Sequence, residues 1–174
     1  MRRCAQIGLS FLVLHPGAHR DSGETVALHQ IADAINDVFD KIKSDTVVLL
    51  LENTAGQGTC VGHTFEHLAT ILKNVNDPKK IGICFDTCHA FQAGYDMRDQ
   101  KGYEKTFEHF DKVIGLKRLK AFHLNDSKRE FNKHVDRHEH IGKGHLGLEM
   151  FRCLMNDRRF QNIPMVLETP KEKE

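Results

Sequence analysis

Five apolar runs punctuate this sequence, and each ends on a histidine or a carboxylate: Leu9 to Leu14 before His15, Thr46 to Leu51 before Glu52, Ile81 to Phe85 before Asp86, Leu119 to Phe122 before His123, and Ile163 to Leu167 before Glu168. The runs are continuous rather than alternating, which is the pattern of strands covered on both faces. Helical stretches separate them. Glu24 to Ile42 contains no glycine or proline and sets Leu28, Ile31, Ile35 and Val38 at helical spacing, with Asp21 or Ser22 as N-cap. Thr64 caps a second helix that buries Phe65, Leu68, Leu72 and Val75; Tyr103, Phe107, Phe110 and Ile114 mark a third, and Leu148 to Met155 a fourth. Strand and helix in alternation, joined by right-handed crossovers, give a parallel α/β sheet whose strand C-termini share one face. The five strand-end side chains are expected to converge there.

Composition narrows the class. With 174 residues, 40% of them hydrophobic, the chain is expected to form one domain over residues 1–174. No apolar stretch of about 18 residues occurs, and the first residues lack a signal-peptide core, so a soluble intracellular protein without a membrane partner is expected. Cytoplasmic, nuclear and mitochondrial residence are not distinguished. The five cysteines are odd in number and form no C-x-x-C pair, which leaves them as buried or bystander thiols. The formal charge is only +1, yet Lys117, Arg118, Lys120, Lys128, Arg129, Lys133, Arg137 and Lys143 crowd one stretch, as a solvated basic face or a phosphate-binding surface. Histidine is the outlier at twelve residues, and neutral imidazole is the commonest metal ligand.

The motifs carry more. Glu52 opens a glycine-rich turn running to Gly62 whose G-x-G-x-x-x-G spacing does not match a dinucleotide fingerprint; it suits a sharp turn beside a cation-holding carboxylate. Asp86 and His89 stand three apart at a strand end, as a ligand pair or as a helix cap with a structural histidine. Asp136 and His138, two apart in an extended segment, point the same way and suit chelation of one ion, or else form a surface salt-bridge cluster. The segments Thr87 to Gly102 and Asn125 to Gly147 read as long polar loops. Four carboxylates at one sheet end, Glu52, Asp86, Asp136 and Glu168, would repel unless cations sat between them. Carboxylate and imidazole without thiolate favour zinc or manganese over magnesium, and several ions favour phosphoryl chemistry. Both ends read as cut from a larger fold: Arg2 to Ile7 with Gly8 is the last turn of a helix and its stop, and five parallel strands would leave both sheet edges bare.

Taken in order, Leu14-His15-Pro16-Gly17-Ala18-His19, Leu51 to Gly58, Phe85 to Asp96, His123 to Lys128, Asp136-Arg137-His138 and Leu167-Glu168-Thr169 closely resemble the endonuclease IV family along the whole chain. The resemblance implies part of a (β/α)₈ TIM barrel, strands four to eight, with the first three βα units and the last helix missing. It implies a trinuclear Zn²⁺ centre in the family's complete site, with fewer ions expected to be retained by this chain. Glu52 would bridge two ions, one also held by His15 and the other by Asp86, His123 and Glu168; His89, Asp136 and His138 would hold the third, and a further histidine of the first site is absent. Glu52 and Glu168 are the implied catalytic carboxylates, around a metal-activated water. The implied activity is DNA base excision repair: hydrolysis of the phosphodiester 5′ to an abasic site in double-stranded DNA and clearing of blocked 3′ ends, by a protein monomeric in its complete form; in this chain alone that activity is expected to be impaired. A metal-dependent sugar isomerase or epimerase of related barrel type, and a non-catalytic zinc- or DNA-binding fragment, are the alternatives.

Overall fold

The apolar runs pair in parallel, as their composition requires. A computed structural model describes residues 1–42 and 46–171. In chain order its elements are α1 (Arg2–Gln6), β1 (Phe11–Leu14), β2 (Gly17–Ala18), α2 (Glu24–Lys41), β3 (Val48–Glu52), β4 (Cys60–Val61), α3 (Phe65–Asn74), β5 (Ile81–Asp86), α4 (Thr87–Gln92), α5 (Gln100–Val113), β6 (Leu119–His123), β7 (Asp126–Ser127), β8 (His138–Glu139), α6 (Leu148–Asn156) and β9 (Met165–Val166). The main sheet is parallel throughout, in the order β1-β3-β5-β6-β9. Two short antiparallel pairs, β2 with β4 and β7 with β8, brace the loops and were not evident from the sequence.

Side chains alternate across a strand, so each run feeds two faces. Leu49, Leu51, Ile83, Phe85, Leu119 and Phe122 turn toward the helices and join one large core with Leu28, Ile35, Phe65, Leu68, Phe107, Phe110, Met150 and Leu154. Leu50, Cys84 and Ala121 form a small cluster with Val13 and Val48 on the opposite face. Two residues on from Val13, Leu50, Cys84 and Ala121 come His15, Glu52, Asp86 and His123. The period of two thus carries the inner face straight into the candidate site.

Several expectations need correction. The N-cap of α2 is Gly23, at φ 81°, and not Asp21 or Ser22; the Ser22 hydroxyl donates instead to the His19 carbonyl at 2.7 Å. Val38 is exposed although it lies in the helical pattern, because it borders the open cavity between α2 and the edge strand β1. The segment Thr87 to Gly102 is not all loop. Its first six residues form α4, wholly buried and capped by Asp86, and Gln100 already begins α5. The basic residues do not share one face: Lys117, Arg118 and Lys120 stand where β6 begins, whereas Lys128, Arg129 and Lys133 follow its other end. Thr64 does cap α3, accepting the His67 N–H at 3.2 Å, and Gly8 closes α1 at φ 74°. Among the described residues no helix is long and apolar enough to cross a membrane.

Candidate metal centre

Because the strands lie side by side and run parallel, their C-terminal residues gather at one end of the sheet. Asp86 pairs directly with His123, and Glu52 sits beside Cys84 one strand over. His123 Nδ1 lies 2.8 Å from Glu52 Oε1 and 3.0 Å from Glu168 Oε2, while His15 Nε2 is 3.1 Å from the other Glu52 oxygen. His89, on the first turn of α4, reaches Glu52 at 3.5 Å and Asp86 at 3.7 Å through Nδ1, and Asp136 at 3.1 Å through Nε2. His138 approaches Asp136 at 3.5 Å and Asp86 at 3.8 Å. All eight side chains singled out from the sequence therefore gather at one end of the sheet.

They fall into overlapping groups with ligand atoms within 4.8 Å of one another: Glu52, Asp86, His123 and Glu168; His89, Asp136 and His138; and His15, Glu52 and His89. Glu52 belongs to two of them. Cys88 also comes within range of Asp86 and His138. Burial, reinforced by the Asp86 charge, pushes its thiol well above the usual range, and its S–H faces the Arg137 carbonyl at 3.6 Å, so it stays protonated.

Ring geometry tests whether cations fit. His89 Nδ1 faces the Asn53 carbonyl oxygen at 3.0 Å and His138 Nδ1 faces the Glu168 carbonyl oxygen at 3.2 Å, positions only an N–H can satisfy. Each ring then turns Nε2 inward, and the two Nε2 atoms lie 3.3 Å apart with an Asp136 oxygen beside them. Two lone pairs cannot face each other at that distance unless a proton or a cation lies between. Backbone-anchored imidazoles of this kind are how proteins hold metal ligands.

Protons occupy that role when metal does not. At His15 the hydrogen bond to Glu52 raises the pKa above its ordinary value. At His89 and His123 burial opposes protonation, yet the surrounding carboxylates win and both pKa values rise. Burial works against ionisation of Glu52 as well, but hydrogen bonds from His123, His15 and His89 hold its pKa far below the carboxylate range. The His89 hydrogen bond lowers Asp136 too.

Sequence reasoning missed the amides that fix this cluster. Asn53 accepts the Asp86 N–H at 2.8 Å and donates to the Asp86 carbonyl at 3.0 Å. Asn125 donates to Asp86 Oδ2 at 2.6 Å and accepts the Glu168 N–H at 2.9 Å. Each lies just past a strand end, a position that by itself does not separate an amide of a turn from one of a site. Asp86 Oδ1 meanwhile accepts the His89 N–H at 2.7 Å, so helix capping and membership of the cluster are not alternatives; one carboxylate does both.

The sequence profile of the xylose isomerase-like TIM barrel family matches residues 1–174. The chain belongs to that family. Similar family members include the probable endonuclease 4 of Geobacter sulfurreducens, 53% identical over 171 residues, and that of Chloroflexus aurantiacus, 50% identical over 171 residues. These alignments cover 98% of this chain but 58% and 60% of the two relatives. The crystal structure of endonuclease IV from Thermus thermophilus superposes with a TM-score of 0.81 at 32% identity, covering 98% of this chain and 58% of that one. The chain thus spans about three fifths of the length of the relatives it matches. The likeness to endonuclease IV read from the sequence holds, and the sheet is a five-stranded, parallel half-barrel of the family's type.

Proposed function

We propose that this chain carries the metal-binding portion of an endonuclease IV-type DNA-repair hydrolase, acting on the phosphodiester 5′ to abasic sites in double-stranded DNA and on blocked 3′ ends. In this reading its strands correspond to the fourth to eighth of a (β/α)₈ ring, the first three βα units and the last helix not being represented. The observation that carries it is the sharing of one buried carboxylate, Glu52, between two donor groups, with a third group of His89, Asp136 and His138 alongside. Relatives that match along 98% of the chain bear the name endonuclease 4.

Zinc fits the donors: imidazole and carboxylate, with ring nitrogens that need a cation or proton between them. When bound, such ions supply Lewis acidity toward a phosphoryl oxygen and activate water near neutral pH. Glu52 and Glu168 would hold them as the catalytic carboxylates, together with His15, Asp86 and His123, while Asn53 and Asn125 keep Asp86 oriented. Lys128, Arg129 and Lys133 line a cavity of about 580 Å³ after β6 together with Glu130, which pairs with Lys133 at 3.8 Å; the net charge there is positive, as a DNA phosphate requires.

The test is incision of a duplex with one abasic site by the purified chain in zinc. Slow cutting 5′ to the lesion is expected, absent on undamaged duplex and abolished by Glu52→Gln. Folded, zinc-loaded protein that leaves the lesion intact, or that epimerises a ketose instead, would overturn the reading.

A further inference from the structure

Outside the centre, and sharing no residue with it, Glu24, His63 and His67 present ligand atoms within 4.8 Å of one another. Glu24 opens α2; His63 precedes the Thr64 cap of α3, and His67 lies in the first turn of that helix. We propose that these three side chains form an additional binding site for one divalent ion of the zinc class.

The local structure holds both rings in place. The Thr64 cap fixes the start of α3, and the i, i+4 spacing brings the two imidazoles together edge to face, centroids 4.8 Å apart at 80°. His63 Nδ1 lies 3.2 Å from the Cys60 carbonyl oxygen, a contact that requires N–H there and leaves the lone pair on Nε2. That is the backbone anchoring by which a metal-binding histidine is oriented. His67 Nε2 stands 3.4 Å from Glu24 Oε2, beyond a good hydrogen bond. An ion bound there takes the place of the ring proton, which moves to Nδ1 at the expense of the long 3.3 Å contact from the Gly62 N–H.

Gly56 makes the neighbourhood this dense. At φ +76° it is suited to glycine, and a Cβ there would lie 2.8 Å from His134 Nδ1 and 3.1 Å from His63 Cγ. His134, anchored through Nδ1 to the Ala55 carbonyl at 3.1 Å, thus packs its ring 6.2 Å from that of His63. Two imidazoles and one carboxylate select a borderline transition ion over calcium or magnesium, which need oxygen shells. Three protein ligands leave a fourth position for water. A bound ion would clamp the start of α2 to the start of α3 at the rim of the sheet.

Competitive zinc titration of the full chain against a chromophoric chelator at neutral pH tests this, comparing wild type with Glu24→Gln and His63→Gln. Each variant is expected to bind one zinc ion fewer and to retain the rest within about twofold in affinity, since the groups are separate. The imidazole nitrogen resonances of His63 and His67 should shift together in wild type as that ion is added. An equal zinc count in wild type and Glu24→Gln, an exposed substitution that leaves the core untouched, would overturn the proposal. So would unmoved His63 and His67 resonances at saturating zinc, whatever the folding of His63→Gln.

Discussion

His15, His89 and His123 press on the Glu52 carboxylate at 3.1, 3.5 and 2.8 Å, so this one side chain ties their protonation together. Without metal, raised histidine pKa values contribute stability that is complete below the unfolded value of about 6.5 and is lost as pH climbs through the folded values. The lowered pKa values of Glu52 and Asp136 contribute above the unfolded carboxylate value of about 4 and fade at lower pH. The metal-free chain should therefore be most stable between those limits, its thermal midpoint falling from pH 6 toward pH 8.5. Zinc binding requires neutral rings, so it should release protons and tighten over the same range. Scanning calorimetry with and without zinc, and titration calorimetry in buffers of differing ionisation enthalpy, check both. A midpoint of the metal-free chain that rises with pH would contradict the account. At this scale His15, Glu52, Asp86, His123 and Glu168 were legible because each closes an apolar run, and His89, Asp136 and His138 through their spacing to a neighbouring ligand type. Asn53 and Asn125 were not, since an amide after a strand looks the same in a turn as in a site until its hydrogen bonds are seen.

Among the elements, the strands and long helices followed from apolar spacing, but α4 and the β7–β8 pair did not. Helix α4 is six residues long, too short to display a period, and it exists because Asp86 caps it and the surroundings bury it. The segment carrying Asp136 and His138 has almost no apolar pattern; polar groups hold it. Gln92 Nε2 faces Ser127 Oγ and the carbonyls of Arg129 and Glu130 at 2.7, 2.9 and 2.9 Å, while its Oε1 accepts the N–H groups of Lys133 and Val135 at 3.2 and 3.3 Å. Gln92→Leu keeps the volume and strands those partners, at about 1–3 kcal/mol of stability. Zinc affinity of the His89, Asp136 and His138 group should fall by about 10–100-fold, as when an outer partner of a metal ligand is lost. Chemical denaturation and zinc titration measure the two; unchanged zinc affinity would show that the segment orders itself. Asp126 braces the same pair from the other side, its two oxygens accepting N–H groups from Ser127, Gly142, Gly144, Leu146 and Gly147 at 2.7–3.4 Å. Hydrogen exchange at Gly142 and Gly144 should accelerate in Asp126→Ala and leave α2 protected as before.

Over the whole molecule, a ring of eight strands has no edge, whereas among the described residues β1 and β9 pair on one side only. Central strands β3 and β5 are buried on both faces, as continuous apolar runs demand, but the edges are not: Leu9, Phe11 and Leu14 are exposed around β1, and Val166 and Leu167 around β9. The sequence reads these runs as equally covered because composition records what a strand is suited to, not whether a neighbour lies beside it. Unpaired backbone groups flanked by apolar side chains template further pairing, and β9 of one copy against β1 of the next is a head-to-tail contact that does not close on a dimer. The chain is therefore expected to associate progressively with concentration, its weight-average mass by light scattering rising across the micromolar range. Phe11→Lys and Val166→Lys each place a charge on one edge and should suppress that rise without lowering zinc stoichiometry, since neither contributes to a ligand group. A constant monomer mass in wild type would mean that edge twist alone protects these strands. Association undiminished by both lysines would move the contact elsewhere, to the apolar cavity of about 310 Å³ that Met1, Leu12, Ile31 and Val38 line between α2 and β1.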